Sequence, residues 1–269
     1  MQPLAYLGLV AALVIISTLE YFKMLHVAGV KCFPRYGLFL ALSYCSLASF
    51  YLLDGEKGIQ KYIPPGLDAF YIFLAATGAF TLQLRYSIKG IEALLAVAVN
   101  LLGFVYIAYL FSFASRISFG LPGSEDVPGA YVLLWLLAVT KFSDMGAYIT
   151  GSLIGKHKMI PNISPAKTWE GFAGALFFAQ LAGCGLFWLL PDHLEALHSW
   201  KHVIILSFLL AILAVIGDLA ESVVKRSLNA KDSGKMLPGI GGGLDLIDSI
   251  CFTAPALWFY IKGVIPYCV

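Results

Sequence analysis

The sequence predicts an all-α polytopic membrane protein, a bundle of about eight transmembrane helices with its chemistry at the cytoplasmic side of the carboxyl-terminal half. Three observations carry this reading. Of 269 residues, 59% are hydrophobic and 13% charged, a balance that soluble domains do not show. Eight segments meet or approach the roughly 20 apolar residues that a helical span requires. They are 3–20, 36–53, 67–84, 90–113, 129–153, 171–190, 202–220 and 244–261. The connections between them are short, so nothing is left over for a separate soluble domain. The chain reads as a single integral-membrane domain, 1–269, with amino-terminal helices over 1–128 and a motif-bearing half over 129–269.

The first segment is expected to remain as an uncleaved span. No basic residue precedes it, its apolar run is long, and Glu20-Tyr21-Phe22-Lys23 offers no small-residue cleavage site. If the eight spans alternate, the connections after the first, third, fifth and seventh share one side. That side carries Lys23, Lys31, Arg35, Arg85, Lys89, Lys156, Lys158, Lys167, Lys225, Arg226, Lys231 and Lys235. The other side holds Lys57, Lys61, Arg116, Lys201 and Lys262, while Lys141 lies inside the fifth span. The excess assigns the richer side to the cytoplasm and both termini to the outside. A net charge of +2 is too small to suggest nucleic acid as a partner. A basic cytoplasmic face does suit anionic lipid and nucleotide. Cys32, Cys45, Cys184, Cys251 and Cys268 are scattered, with no Cys-x-x-Cys pair, and read as small hydrophobes. His198 and His202 share a helical spacing suited to metal but fall on the external side. His193 and Trp200 read as interfacial anchors.

The stretch Ser222–Ser249 crowds four basic residues, three acids and five glycines between two apolar segments. Charge kept at a membrane boundary usually faces a ligand, a metal or another charge. Where it begins, Asp218, Glu221, Ser222 and Lys225 stand at i, i+3, i+4 and i+7, so one helix face presents all four. Two carboxylates one turn apart can share a divalent cation; equally, Lys225 can pair with Glu221 at a salt-bridged helix end. Lys231-Asp232-Ser233-Gly234-Lys235 then forms a polar turn, and Pro238-Gly239-Ile240-Gly241-Gly242-Gly243 brings bare backbone to the start of the last span. Such a backbone lets N–H groups approach phosphate at a helix start. Asp245 and Asp248 follow at i and i+3. Asp245 can cap the helix, and Asp248 lies a turn deeper; paired with Asp218 and Glu221 from the neighbouring helix, both acids could build a metal site.

A second group lies in and after the fifth span. Asp144, Tyr148 and Gly151 share a face, with Lys141 a turn earlier. The cationic loop that follows, Gly155 to Gly171, includes Ser164, Pro165, Lys167 and Glu170. It reads either as part of a binding pocket or as topogenic charge, with Ser164-Pro165 before Glu170 as helix-start grammar.

Together these stretches resemble the signature of the phosphatidate cytidylyltransferases. That pattern runs Ser-x-x-Lys-Arg, Lys-Asp-x-Gly, then Leu-Pro-Gly-His-Gly-Gly-x-Leu-Asp-Arg-x-Asp. Ser222, Lys225, Arg226, Lys231, Asp232, Gly234, Leu237, Pro238, Gly239, Gly241, Gly242, Leu244, Asp245 and Asp248 fall in register with it. Ser143-Asp144-x-Gly146-Ala147-Tyr148 and Ile163-Ser164-Pro165-x-Lys167-Thr168-x-Glu170-Gly171 also resemble the family. Ile240 stands where the family usually has His, Leu246 where it usually has Arg, and eight spans stand where nine would be expected. The resemblance implies transfer of CMP from CTP to phosphatidic acid within the bilayer, giving CDP-diacylglycerol and pyrophosphate. It implies Mg²⁺, with room for a second cation, on Asp218, Glu221, Asp245 and Asp248. Catalytic roles fall to Asp218, Asp245, Lys225 and Arg226. Substrate contacts fall to Asp144, Ser164, Lys167, Ser222, Lys231, Asp232, Gly239, Gly241 and Gly242. A bacterial inner membrane and a homodimer are compatible with this. Other CTP-using lipid enzymes, such as a polyprenol kinase, and a secondary transporter are the alternatives that acceptor assays would separate.

Overall fold

The computed structural model describes residues 3–53, 63–88, 90–121, 129–234 and 241–265. The helices are α1 (Pro3–Val27), α2 (Pro34–Leu53), α3 (Pro65–Gln83), α4 (Glu92–Gly103), α5 (Leu110–Gly120), α6 (Ala130–Ile154), α7 (Trp169–Leu189), α8 (Trp200–Ser227) and α9 (Gly243–Gly263). Every segment expected to span the membrane is helical. Six runs are long and apolar enough to cross one: Ala5–Val27, Glu92–Gly120, Ala130–Ile154, Trp169–Leu189, Trp200–Ser227 and Gly243–Gly263. The other two, α2 and α3, are helices in the expected places but fall outside that group.

Two details depart from a bundle of plain helices. The run expected over 90–113 continues to Gly120 and contains a π-helical segment, Phe104–Tyr109, between α4 and α5. An antiparallel hairpin, β1 (Lys158–Ile160) and β2 (Ser164–Thr168), occupies the loop after α6, with Lys158 opposite Thr168 and Ile160 opposite Ser164. Strands of three and five residues leave too little alternation for sequence periodicity to detect.

The described chain forms two compact units. The first comprises α1 to α4, the π segment, α5 up to Ser115, and the stretch from Val224 to Ile247. Its aromatic core centres on fully buried Tyr44, whose ring meets Tyr71 at 5.2 Å and Phe104 at 5.5 Å, both edge-on. The Tyr21 hydroxyl donates to the Val99 carbonyl at 2.8 Å, and the Phe33 N–H donates to Asn100 Oδ1 at 3.1 Å. These two bonds tie α1 and the start of α2 to α4 and satisfy the buried groups that make them.

The second unit runs from Arg116 to Val223 and resumes at Asp248. Its spine is the antiparallel pair α6 and α7. A Cβ on Gly146 would lie 2.6 Å from the Gly174 carbonyl oxygen, and one on Gly174 would lie 2.7 Å from that of Gly146. Glycine at both positions lets the two backbones touch, the small-residue packing that membrane helices use in place of a hydrophobic driving force. Trp135 Nε1 donates to the Gly183 carbonyl at 2.9 Å further along the pair. Thr140 on α6 meets Thr253 on α9 at 3.3 Å.

Replacing Gly174 with Val should separate α6 from α7 and cost about 1–3 kcal/mol. Thermal unfolding in detergent should show a lowered Tm; an unchanged Tm would contradict the close packing.

Candidate active site

α8 and α9 approach each other where Gly217 faces Asp248 and Ser249. A Cβ on Gly217 would lie 2.8 Å from the Ser249 Cα and 2.9 Å from the Asp248 carbonyl oxygen. The Ser249 hydroxyl donates to the Ala214 carbonyl at 3.2 Å and holds the crossing. This contact brings the acids of α8 beside that of α9. One ligand oxygen each from Asp218, Glu221 and Asp248 lies within 4.8 Å of the others. Glu221 is 1% exposed and Asp248 5%. Two unit charges about 4 Å apart repel by roughly 4 kcal/mol at an effective dielectric near ~20. A cluster of this kind requires positive charge.

Part of that charge comes from the hairpin. Lys167 Nζ on β2 lies 2.6 Å from Asp218 Oδ2 and donates to the Val215 carbonyl at 3.3 Å. The hairpin is fixed at its base by Glu170, which accepts the Lys156 N–H at 3.1 Å, the His157 N–H, and a bond from His157 Nδ1 at 2.5 Å. Thr168 caps α7 by accepting the Gly171 N–H at 3.1 Å, so helix-start grammar holds, with Thr168 rather than Ser164 as the cap. Ser164 begins β2. On α6, Asp144 is half-buried and ion-paired to Lys141 at 3.7 Å. The donors gathered here are all hard oxygens, which fits Mg²⁺ or Ca²⁺.

The first unit organises the signature around Asp245. Lys225 Nζ lies 2.7 Å from Asp245 Oδ1, while Oδ2 accepts from the Ser233 hydroxyl at 2.7 Å and from the Gly242 N–H at 2.8 Å. Asp245 is the third residue of α9 and reaches back to the N–H preceding the helix, one half of a capping box. Gly241 takes φ of +108°, a conformation that a side chain would strain. Its Cβ position would also lie 3.0 Å from Asp245 Oδ2. Lys225 thus pairs with Asp245, and the three-carboxylate group among the described residues does not include Asp245. Ser222 is half-buried on α8, and Arg226, Lys231 and Asp232 are exposed. Arg226 Nη1 donates to the Ala230 carbonyl at 3.4 Å. Gly239 lies outside the described residues, as do Leu237, Pro238 and Ile240.

Two residues escaped the sequence reading. Ser233 looked like turn composition, and Glu20 looked like the end of a span. A lone acid inside an apolar run was the available signal for Glu20.

The chain matches the model of the cytidylyltransferase family over residues 1–264. It belongs to that family. Among curated relatives, it is 41% identical over 130 residues to phosphatidate cytidylyltransferase of Mycobacterium leprae, covering 48% of this chain and 40% of that one. It is 37% identical over 154 residues to phosphatidate cytidylyltransferase of Staphylococcus haemolyticus, covering 57% and 54%. It is also 37% identical over 142 residues to the uncharacterized protein YnbB of Escherichia coli, covering 53% and 46%. The chain spans about half the length of the curated relatives it matches.

Lys167→Met leaves Asp218 facing two buried carboxylates without its nearest cation. Because Lys167 and Asp218 are partly exposed, the expected loss is about 1–2 kcal/mol. Melting curves with and without Mg²⁺ should show a lower Tm and a larger recovery by Mg²⁺ than in the unmodified protein. An unchanged Tm with the same Mg²⁺ response would contradict the role given to Lys167.

Proposed function

We propose that this chain transfers CMP from CTP to phosphatidic acid, forming CDP-diacylglycerol and pyrophosphate. The observation that carries the reading is the Asp218, Glu221 and Asp248 group, with ligand atoms within 4.8 Å, in a member of the cytidylyltransferase family. The named activity of the mycobacterial and staphylococcal relatives supports it. In the same reading the protein crosses a bacterial inner membrane eight times, with the signature loops in the cytoplasm. There CTP is dissolved and the headgroup of phosphatidic acid is within reach.

The chemistry brings two polyanions together. A phosphate oxygen of phosphatidic acid attacks the α-phosphorus of CTP. A new P–O bond forms, the bond from that phosphorus to the β-phosphate oxygen breaks, and pyrophosphate departs with the electron pair. The lipid phosphate is itself the nucleophile, so no protein nucleophile is required. Asp218, Glu221 and Asp248 would hold Mg²⁺, which when bound screens the phosphates and stabilises the charge developing on the leaving group. Lys167, paired with Asp218, would offer a cationic donor to phosphate held beside these carboxylates. Lys225, Arg226 and Lys231 supply cationic donors for the triphosphate. Asp245 orients Lys225, and in this reading the backbone at Gly241 and Gly242 lines the nucleotide site. Asp144, Ser164, Ser222 and Asp232 are assigned substrate contacts in the same reading.

The test is transfer of label from CTP to phosphatidic acid by purified protein, using α- and γ-labelled nucleotide in parallel. The α-label should appear in CDP-diacylglycerol only with a divalent cation. Lipid labelled from the γ-position would indicate a kinase instead, and no transfer to any lipid would overturn the reading. Asp245→Asn should lower turnover by about 100-fold or more, the scale of a lost charged positioning group, with folded protein still in the membrane. Near-normal turnover in that variant would contradict the role of Asp245.

A further inference from the structure

Glu20 lies on α1, distant in sequence from every signature residue, yet it is 2% exposed and its carboxylate meets the signature loop from two sides. Its Oε2 accepts the Leu244 N–H at 3.1 Å. Leu244 is the second residue of α9, so this N–H is one of the donors that a helix leaves unsatisfied at its start. A Ser, Thr, Asp or Asn just before the helix ordinarily supplies the acceptor. Here that position is Gly242, which has no side chain to offer. Nor is there room for one, since a Cβ on Gly242 would lie 2.6 Å from Glu20 Oε2 and 2.9 Å from the Gly234 N. A Cβ on Gly234, on the other arm of the loop, would collide with Glu20 Oε1. That second oxygen is buried and has no hydrogen-bond partner among the described residues. A buried carboxylate with an unmatched oxygen is costly to keep, which argues for a task beyond packing.

We infer that Glu20 is a positioning residue for Asp245, acting as a helix cap delivered from α1. Its contacts hold the Gly234 and Gly242 arms of the loop in place. Those arms carry the Ser233 hydroxyl and the Gly242 N–H, which both donate to Asp245 Oδ2. Asp245 Oδ1 is thereby turned toward Lys225. Among the described residues Glu20 makes no hydrogen bond or ion pair to Asp245 or Lys225, and it works through the loop. Its activity readout rests on the reaction proposed above.

The test compares Glu20→Ala and Glu20→Gln with the unmodified full chain in lipid nanodiscs, by hydrogen–deuterium exchange and by CTP:phosphatidate transfer. Glu20→Ala should raise exchange across 241–248 by about tenfold, the scale of a lost hydrogen bond to a charged group, with α6 unchanged. In the same variant kcat should fall by about tenfold and KM for CTP should stay within about twofold, as expected when orientation rather than ground-state binding is lost. Glu20→Gln keeps an acceptor for the Leu244 N–H and should retain roughly half of the transfer or more. The inference is overturned by unchanged exchange at 241–248, by exchange raised equally in every helix, or by Glu20→Gln failing as fully as Glu20→Ala. Should the unmodified chain transfer no CMP to phosphatidic acid, the proposed reaction falls, and the exchange comparison still decides the role of Glu20.

Discussion

Mutual repulsion among Asp218, Glu221 and Asp248 is the constraint around which the second unit is arranged. Two of these carboxylates are almost fully buried at the ends of helices whose remaining length is apolar. Water screens them poorly there, and any neighbour that brings positive charge gains more than it would at an open surface. Glu170 fixes the base of the hairpin, the hairpin carries Lys167, and Lys167 reaches Asp218. Gly217 lets α9 come near enough for Asp248 to join the group. Each feature is ordinary alone; their convergence on one electrostatic problem points to a cation and phosphate chemistry.

The first unit solves a related problem by different means. Asp245 there accepts from one lysine, one hydroxyl and one backbone N–H, which orient it. The loop that supplies two of those donors depends on glycines at positions where a side chain would strike Glu20, Ser233 or Asp245. Glycine at Gly234, Gly241 and Gly242 therefore reflects the crowding of polar groups against backbone. Along α9, Asp245 and Asp248 are one turn apart, yet one serves a lysine and the other belongs to the carboxylate group.

Much of this was legible in the sequence, because length and apolarity suffice to mark membrane helices. All eight expected segments are helical, and Asp218, Glu221, Asp245 and Asp248 were read as one metal group from their i, i+3 spacing at the ends of apolar helices, of which Asp218, Glu221 and Asp248 lie together. The sequence could not tell whether Lys225 would pair with Glu221 or elsewhere, since that choice depends on α9 placing Asp245 against it. The hairpin was missed because its strands are too short to show a period. Glu20 was missed because its partner is more than two hundred residues away. A capping interaction made across that separation leaves no local pattern.

The central claim is that the Asp218, Glu221 and Asp248 carboxylates exist to hold a divalent cation. The most direct measurement is anomalous diffraction from crystals of the protein grown with Mn²⁺. The account predicts an anomalous peak bounded by the side-chain oxygens of these three residues, lost in Asp218→Asn. A peak bound only elsewhere, with the three carboxylates bridged by lysine alone, would contradict it.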